Sequence, residues 1–367
     1  MIRLNRRHFI GGAAAAATLP MLASRATAAD PLKVGYIYVG PINDGGWNTA
    51  HEAGRQAMLK ALGDKVVSTY VENVPEGPDS ERVLRDLYNQ GNRLLYATSF
   101  GYMDSAVKVA QAYPDVKVEM CTGFKQSSNN NLSNYNIRFH QARSMWGTMA
   151  AMLSKTGVGG YLATFPIPEV VSGINSFTLA ARKVNPNFKT KVIWINTWYD
   201  PAKEADAARA LIDQGVDVMT QHTDSPAAIQ VCETKGIPTF GQGSDQGQFG
   251  PTMCKSSSLD LWGAFYAGRT QAAVEGTWKP DDSYWGIKEG ALGVSPIVNV
   301  PDDVKAAGEK VIAGWKDGSY DVYKGPIKAQ DGTVKAAEGA ALNEPETLHH
   351  HYAAFEGEIS AVPPERR

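Results

Sequence analysis

Val34-Gly35-Tyr36-Ile37-Tyr38-Val39-Gly40-Pro41-Ile42-Asn43-Asp44-Gly45-Gly46-Trp47-Asn48 is the stretch on which the reading of the chain turns. Its first half is short and rich in β-branched and aromatic residues, which predicts a buried strand. Pro41 has no N–H and ends the ladder. Gly45 and Gly46 permit a sharp turn or a close approach of backbone to a ligand. A helix then opens near Trp47, with Ala50, Ala53, Ala57, Met58, Ala61 and Leu62 at helical spacing and Gly63 as its stop. Asn43, Asp44 and Trp47 therefore stand at the carboxyl end of a strand, where open α/β sheets bind ligands. The competing local reading is a plain βα turn capped by Asp or Asn.

The pattern repeats outward from there. Strands are expected over residues 66–71, 94–99, 116–120 and 133–137, with helices between the first three and another over 141–153. Asp79 or Ser80 is expected to cap the helix that stops at Gly91. A glycine-rich break near residue 157 resets the series. Strands follow over 161–164, 192–196, 216–221 and 237–241, alternating with helices over 169–184, 202–214 and 225–234. After Gly250 the sequence predicts a long helix over 259–274, a crossover segment rich in Trp, Tyr and Gly over 279–292, and a helix over 304–315. From Tyr323 onward it reads as a polar surface hairpin and tail. Each series reads as a parallel, doubly wound sheet. Right-handed crossovers place the strand exits of each sheet on one rim, and two facing rims form a cleft.

The N-terminus reads as an address. Asn5-Arg6-Arg7-His8-Phe9-Ile10 resembles a twin-arginine export signal, followed by a short alanine-rich apolar run and the small-residue cleavage site Ala26-Thr27-Ala28. Removing residues 1–28 takes four arginines from 36 basic residues, leaving 32 against 38 acidic and a net charge of −6. No basic run longer than two residues remains, so nucleic acid and anionic membrane surfaces are poor partners. The three cysteines, Cys121, Cys232 and Cys254, lack metal-ligand spacing. In an oxidising compartment, Cys232 with Cys254 is the pair open to oxidation.

The strand exits collect Asn43, Asp44 and Trp47; Phe100, Tyr102 and Asp104; Phe165; Trp198 and Asp200; His222, Thr223 and Asp224; and Gln242, Ser244 and Asp245. Aromatic faces stack on a flat ring, while carboxylates and amides hydrogen-bond along its edge. Arg is absent from these exits, which favours a neutral ring. Each residue alone has a structural explanation: Asp104 and Asp224 as helix caps, Phe165 and Trp198 as core. Dinucleotide, Walker-type and Gly-x-Ser-x-Gly motifs are missing, so no cofactor and no catalytic residue is assigned. His349-His350-His351 has no spaced partner and reads as a solvated loop rather than a metal site.

From about Leu32 to Trp315 the chain resembles the basic membrane protein (BMP) family of solute-binding proteins for ABC transporters. Gly35 to Trp47, Thr98 to Asp104, Trp198 to Glu204 and Gln221 to Pro226 carry the resemblance. It implies a type I periplasmic-binding fold: two Rossmann-like lobes joined by three crossovers. The lobes would be residues 32–140 with about 258–285, and about 141–257 with 286–322, followed by an extension over 323–367. It also implies a monomeric periplasmic receptor for a purine base or purine nucleoside, working with an inner-membrane ABC permease and without turnover. Carried over by motif, Trp47, Phe100 or Tyr102, and Phe165 would sandwich the base, with Asn43, Asp104, Trp198, Asp224 and Asp245 as polar or wall contacts. The lipoprotein members' anchoring Cys is absent here, and Trp47 stands where many members have Asn or Phe-Asn. A sugar receptor of the same fold and an exported α/β enzyme are the rival readings.

Overall fold

The computed structural model describes residues 30–342, 355–358 and 360–364. The export signal and His349 to His351 lie outside the described residues. In chain order the elements are β1 (Leu32–Ile37), α1 (Trp47–Leu62), β2 (Val66–Val71), α2 (Pro78–Asn89), β3 (Leu94–Ala97), α3 (Met103–Ala112), β4 (Lys117–Cys121), β5 (Leu132–Ile137) and α4 (His140–Leu153). The second series is β6 (Val158–Ala163), α5 (Pro168–Val184), β7 (Lys189–Trp194), α6 (Pro201–Asp213), β8 (Val218–His222), α7 (Ala227–Lys235), β9 (Thr239–Gly241) and β10 (Cys254–Asp260). Then come α8 (Gly263–Val274), β11 (Asp282–Trp285), β12 (Leu292–Val294), α9 (Asp302–Asp317), β13 (Ile327–Lys328) and β14 (Val334–Ala336).

Two six-stranded sheets form, ordered β11-β5-β4-β3-β1-β2 and β12-β10-β9-β8-β6-β7. The first is parallel throughout, and the second is parallel except where β12 runs against β10. In each, the strand that opens the series lies second from an edge, between the next strand and the rest of the sheet. β1 therefore pairs on both sides, with β2 and β3. Its last four residues are fully buried, as a strand covered on both faces requires. Tyr36 stacks on Tyr96 beneath the sheet, with ring centroids 4.5 Å apart, and meets the edge of Tyr266 from α8. The chain passes from one sheet to the other at β5–α4–β6, at β10–α8–β11 and at β11–β12. Of the helices in these passages, α4 packs chiefly on α5 and α9, and α8 chiefly on α1.

Several expectations change here. The helix expected from Leu259 begins only at Gly263, because Cys254–Asp260 is a strand. That strand is polar in sequence yet buried, and its hydroxyls are bonded: Ser256 Oγ donates to Ser295 O (2.8 Å), Ser257 Oγ accepts from Gln246 N (3.1 Å) and Ser258 Oγ accepts from Gly243 N (3.2 Å). Cys232 and Cys254 are separate buried thiols, not a disulfide. Cys232 Sγ lies 3.8 Å from Met219 Sδ, and Cys254 Sγ lies 3.7 Å from Ser257 Oγ. Neither Asp79 nor Ser80 caps α2; Gly77 does, and Ser80 Oγ donates back to Gly77 O (2.7 Å).

The C-terminal segment is more than a tail. Tyr323, Ile327, Ala336, Leu342 and Phe355 bury a small core against Ala180 of α5. Thr190 N donates to Gly357 O (2.9 Å) and Val192 N to Ser360 Oγ (2.8 Å). These bonds occupy the outer edge of β7, which would otherwise be an unpaired template for another strand.

Candidate functional site

The opening loop forms the rim of the first lobe. Asp44 organises it from within: its carboxylate accepts from the backbone N–H groups of Gly46 (2.9 Å), Asn48 (2.9 Å) and Thr49 (3.0 Å) at the start of α1. Three orphan donors of a helix N-terminus are thereby satisfied. Asp44 is buried for this structural task, while Asn43 beside it faces solvent. Gly46 permits the closest approach in the region. A Cβ there would lie 2.6 Å from Asp224 O, across the cleft.

The two rims touch. Ser244 Oγ (2.6 Å) and Gln246 Nε2 (3.0 Å) of the second lobe both donate to Gly45 O of the first. Trp198 Nε1 donates to Glu76 Oε1 (3.0 Å). The same Glu76 oxygen accepts from Ser99 Oγ (2.6 Å) and Gly101 N (3.0 Å), so it ties the loop carrying Phe100 to the tryptophan opposite. The structure is thus a closed one.

Between the rims lies a small, partly enclosed cavity. The first lobe lines it with Val39, Trp47, Ser99, Phe100 and Thr122, and the second with Glu169, Trp198, His222, Asp224 and Gln242. Trp47, Phe100, Trp198 and Asp224 of the expected set are brought together. Trp47 is also anchored in the core: its Nε1 donates to Thr98 O (2.7 Å) and its ring meets His51, Phe139 and Trp262.

The remaining expected residues do not line the cavity. Phe165 packs edge-on against Trp198, with centroids 5.0 Å apart, and supports that wall. Tyr102 turns inward and donates to Val74 O (2.6 Å). Phe100–Tyr102 is a 3₁₀ turn, in which a two-residue step swings the side chain to another face. Asp104 is exposed and paired with Lys125 (2.5 Å). Asp245 is exposed, with Oδ1 accepting from Gly247 N (3.0 Å).

The ionisable side chains lie on the second lobe's side. Asp224 is 2 % exposed, and its Oδ2 has no hydrogen-bond partner. Burial, reinforced by the charges of Asp44, Glu204 and Asp260, holds its pKa well above the usual carboxylate range. Burial pushes Glu169 up to about 8, opposed by a bond from Asn136 Nδ2 (3.4 Å). Behind the cavity lies Arg143 of α4, wholly buried. Its guanidinium donates to Gln242 Oε1, faces His222 Nδ1 at 3.4 Å, and reaches Ser258 Oγ (3.3 Å) and Tyr161 OH (3.5 Å). Burial, with the Arg143 charge, holds His222 well below the usual imidazole range, so its ring is neutral. Asp260, also buried, is pushed up to about 7 by burial, with Arg143 opposing.

Sequence reasoning noted His222 and Gln242 at strand exits but did not select them, and it passed over Ser99, Thr122, Glu169 and Arg143. Glu169 opens α5 directly after Pro168, and Thr122 sits in a left-handed turn (φ 60°) at the exit of β4. Both are strand-exit positions by topology, which was the signal available. Among the described residues no cluster of His, Cys, Asp and Glu is arranged to hold a metal ion, and no helix is long and apolar enough to cross a membrane.

Known proteins show the same pattern. Residues 32–315 match the Bmp family model, described as ABC transporter substrate-binding protein PnrA-like. A purine-binding protein of Brucella abortus is 51% identical over 322 residues, covering 87% of this chain and 91% of its own. A protein of Haloferax volcanii named as an ABC transporter glucose-binding protein is 36% identical over 290 residues, covering 77% of this chain and 73% of its own. An ABC transporter solute-binding protein of Aeropyrum pernix superposes with a TM-score of 0.69 at 19% identity, covering 82% of this chain and 93% of that one. With its two α/β lobes and the cavity between them, the chain belongs to the Bmp, PnrA-like family of ABC transporter substrate-binding proteins.

Proposed function

We propose that the chain is the exported, periplasmic receptor of an ABC importer, and that it captures a purine base or purine nucleoside between its lobes for delivery to an inner-membrane permease. One observation carries the ligand class. Trp47, Phe100 and Trp198 surround a cavity that also holds a buried carboxyl oxygen, Asp224 Oδ2, without a partner. The aromatics offer faces to the ring, and Asp224 offers a hydrogen bond to its edge. The name of the Brucella relative supports the same class.

The mechanism is binding without turnover. A ligand that touches both rims favours the closed state over the open one, and only that difference in affinity shifts the equilibrium. Closure shields the ligand from water and builds a surface from both lobes that a permease can read. The glucose-binding name of the Haloferax relative makes a hexose the alternative ligand. Mass spectrometry of the protein as purified separates the cases. Release of an intact purine or purine nucleoside is expected. Release of a hexose alone would contradict the purine reading, and conversion of added purine into a new product would favour an enzyme.

A further inference from the structure

We infer that Arg143, acting through Gln242 and His222, fixes the floor of the cavity as a hydrogen-bond donor surface, so that the ligand must turn an acceptor edge onto it. The inference rests on the reading of this cavity as the ligand site. A guanidinium carries five N–H donors and no acceptor. Gln242 can therefore meet it only with the amide oxygen, and His222 only with the lone pair of Nδ1. What remains on these side chains is the Gln242 NH₂ and, on the neutral ring, the His222 Nε2–H. Both groups are donors, and both side chains line the cavity.

The arrangement resists reversal. Turning the Gln242 amide over would set N–H against N–H in a buried site, where an unsatisfied donor is costly. Arg143 is itself locked, bonded to Ser258 and Tyr161 and lying 4.7 Å over the Trp146 ring. It does not line the cavity, so it is a positioning residue and its influence is felt through the two floor side chains. Ring-nitrogen lone pairs or an exocyclic carbonyl oxygen satisfy such a floor. A carbocyclic ring of the same shape does not.

The test is calorimetric titration of the full-length, ligand-stripped protein with adenine, guanine, hypoxanthine and indole. Indole keeps the fused-ring shape without an imine nitrogen or a carbonyl. Gln242→Glu preserves the contact with Arg143 but places an acceptor where a donor stood. Its affinity for the best-bound purine is expected to fall on the order of 10- to 100-fold. Arg143→Met frees the amide and the imidazole to turn, and the ratio of purine to indole affinity is expected to fall, a change that loss of folded protein alone would not produce. Undiminished purine binding by Gln242→Glu overturns the inference, and that result decides even where Arg143→Met fails to fold. Absence of purine binding by the wild type overturns the parent reading and this one with it.

Discussion

The two rims of the cleft divide the work of recognition unequally. The first lobe brings Trp47 and Phe100, with Val39 beside them, and no ionisable liner. The second brings Glu169, His222 and Asp224, with the buried Arg143 behind His222 and Gln242. The first rim supplies mostly faces, with the Ser99 and Thr122 hydroxyls beside them, and the second supplies mostly edges. Faces tolerate any flat ring, because every such ring has a π surface. Edges discriminate, because a buried donor or acceptor left unpaired is penalised. On the proposed reading, class is set mainly by the first lobe and identity by the second. Trp198 is the exception: it is an aromatic on the polar side, tied to the opposite rim through Glu76.

The largest expected effect breaks the face rim. Trp47 is 9 % exposed and packs on His51, Phe139 and Trp262, so it is core as well as wall. Trp47→Ala is expected to cost about 3–5 kcal/mol of stability in a denaturant titration, and to weaken ligand binding as well. Weakened binding at unchanged stability would show the ring to be wall alone.

An edge mutation should act differently. Asp224→Asn is expected to weaken purine binding by about 0.5–1.5 kcal/mol, the range for a hydrogen bond between neutral groups. The same change should raise the melting temperature of the ligand-free protein, since it replaces a buried carboxyl whose Oδ2 has no partner. A lowered melting temperature with unchanged affinity would assign Asp224 to structure.

A pH dependence arises on the same side. Burial holds Glu169 at about 8, above the value near 4.3 expected of an unfolded chain. Folding then takes up a proton in the intervening window. The contribution is complete below the unfolded value and is lost as pH rises through about 8. Asp260, at about 7, acts with the same sign over the lower part of that window. Thermal melts of ligand-free protein should show stability falling as pH rises from about 7 to 8, above the range where the buried histidines contribute, and Glu169→Gln should flatten the decline. An unchanged slope in that variant would place the titration elsewhere.

Most of the fold is legible in the sequence, because alternating buried strands and amphipathic helices are set by local pattern. The strand Cys254–Asp260 is the clearest exception. Its serines look like surface, and bonds to Ser295, Gln246 and Gly243 make them compatible with burial. The site is legible only to the level of the rim. Strand-exit position places Phe100, Tyr102 and Asp104 together, yet the geometry of one short turn sends Phe100 to the cavity, Tyr102 to the core and Asp104 to solvent. Arginine is indeed absent from the exits, but Arg143 reaches the floor from a helix that passes between the lobes, a route that spacing along the chain does not reveal.

The most direct measurement is calorimetric titration of refolded, ligand-stripped protein with purine bases, purine nucleosides and hexoses side by side. Saturable heat from a purine base or nucleoside, with none from the hexoses, is the expected result. Hexose heat with no response to any purine would contradict the account.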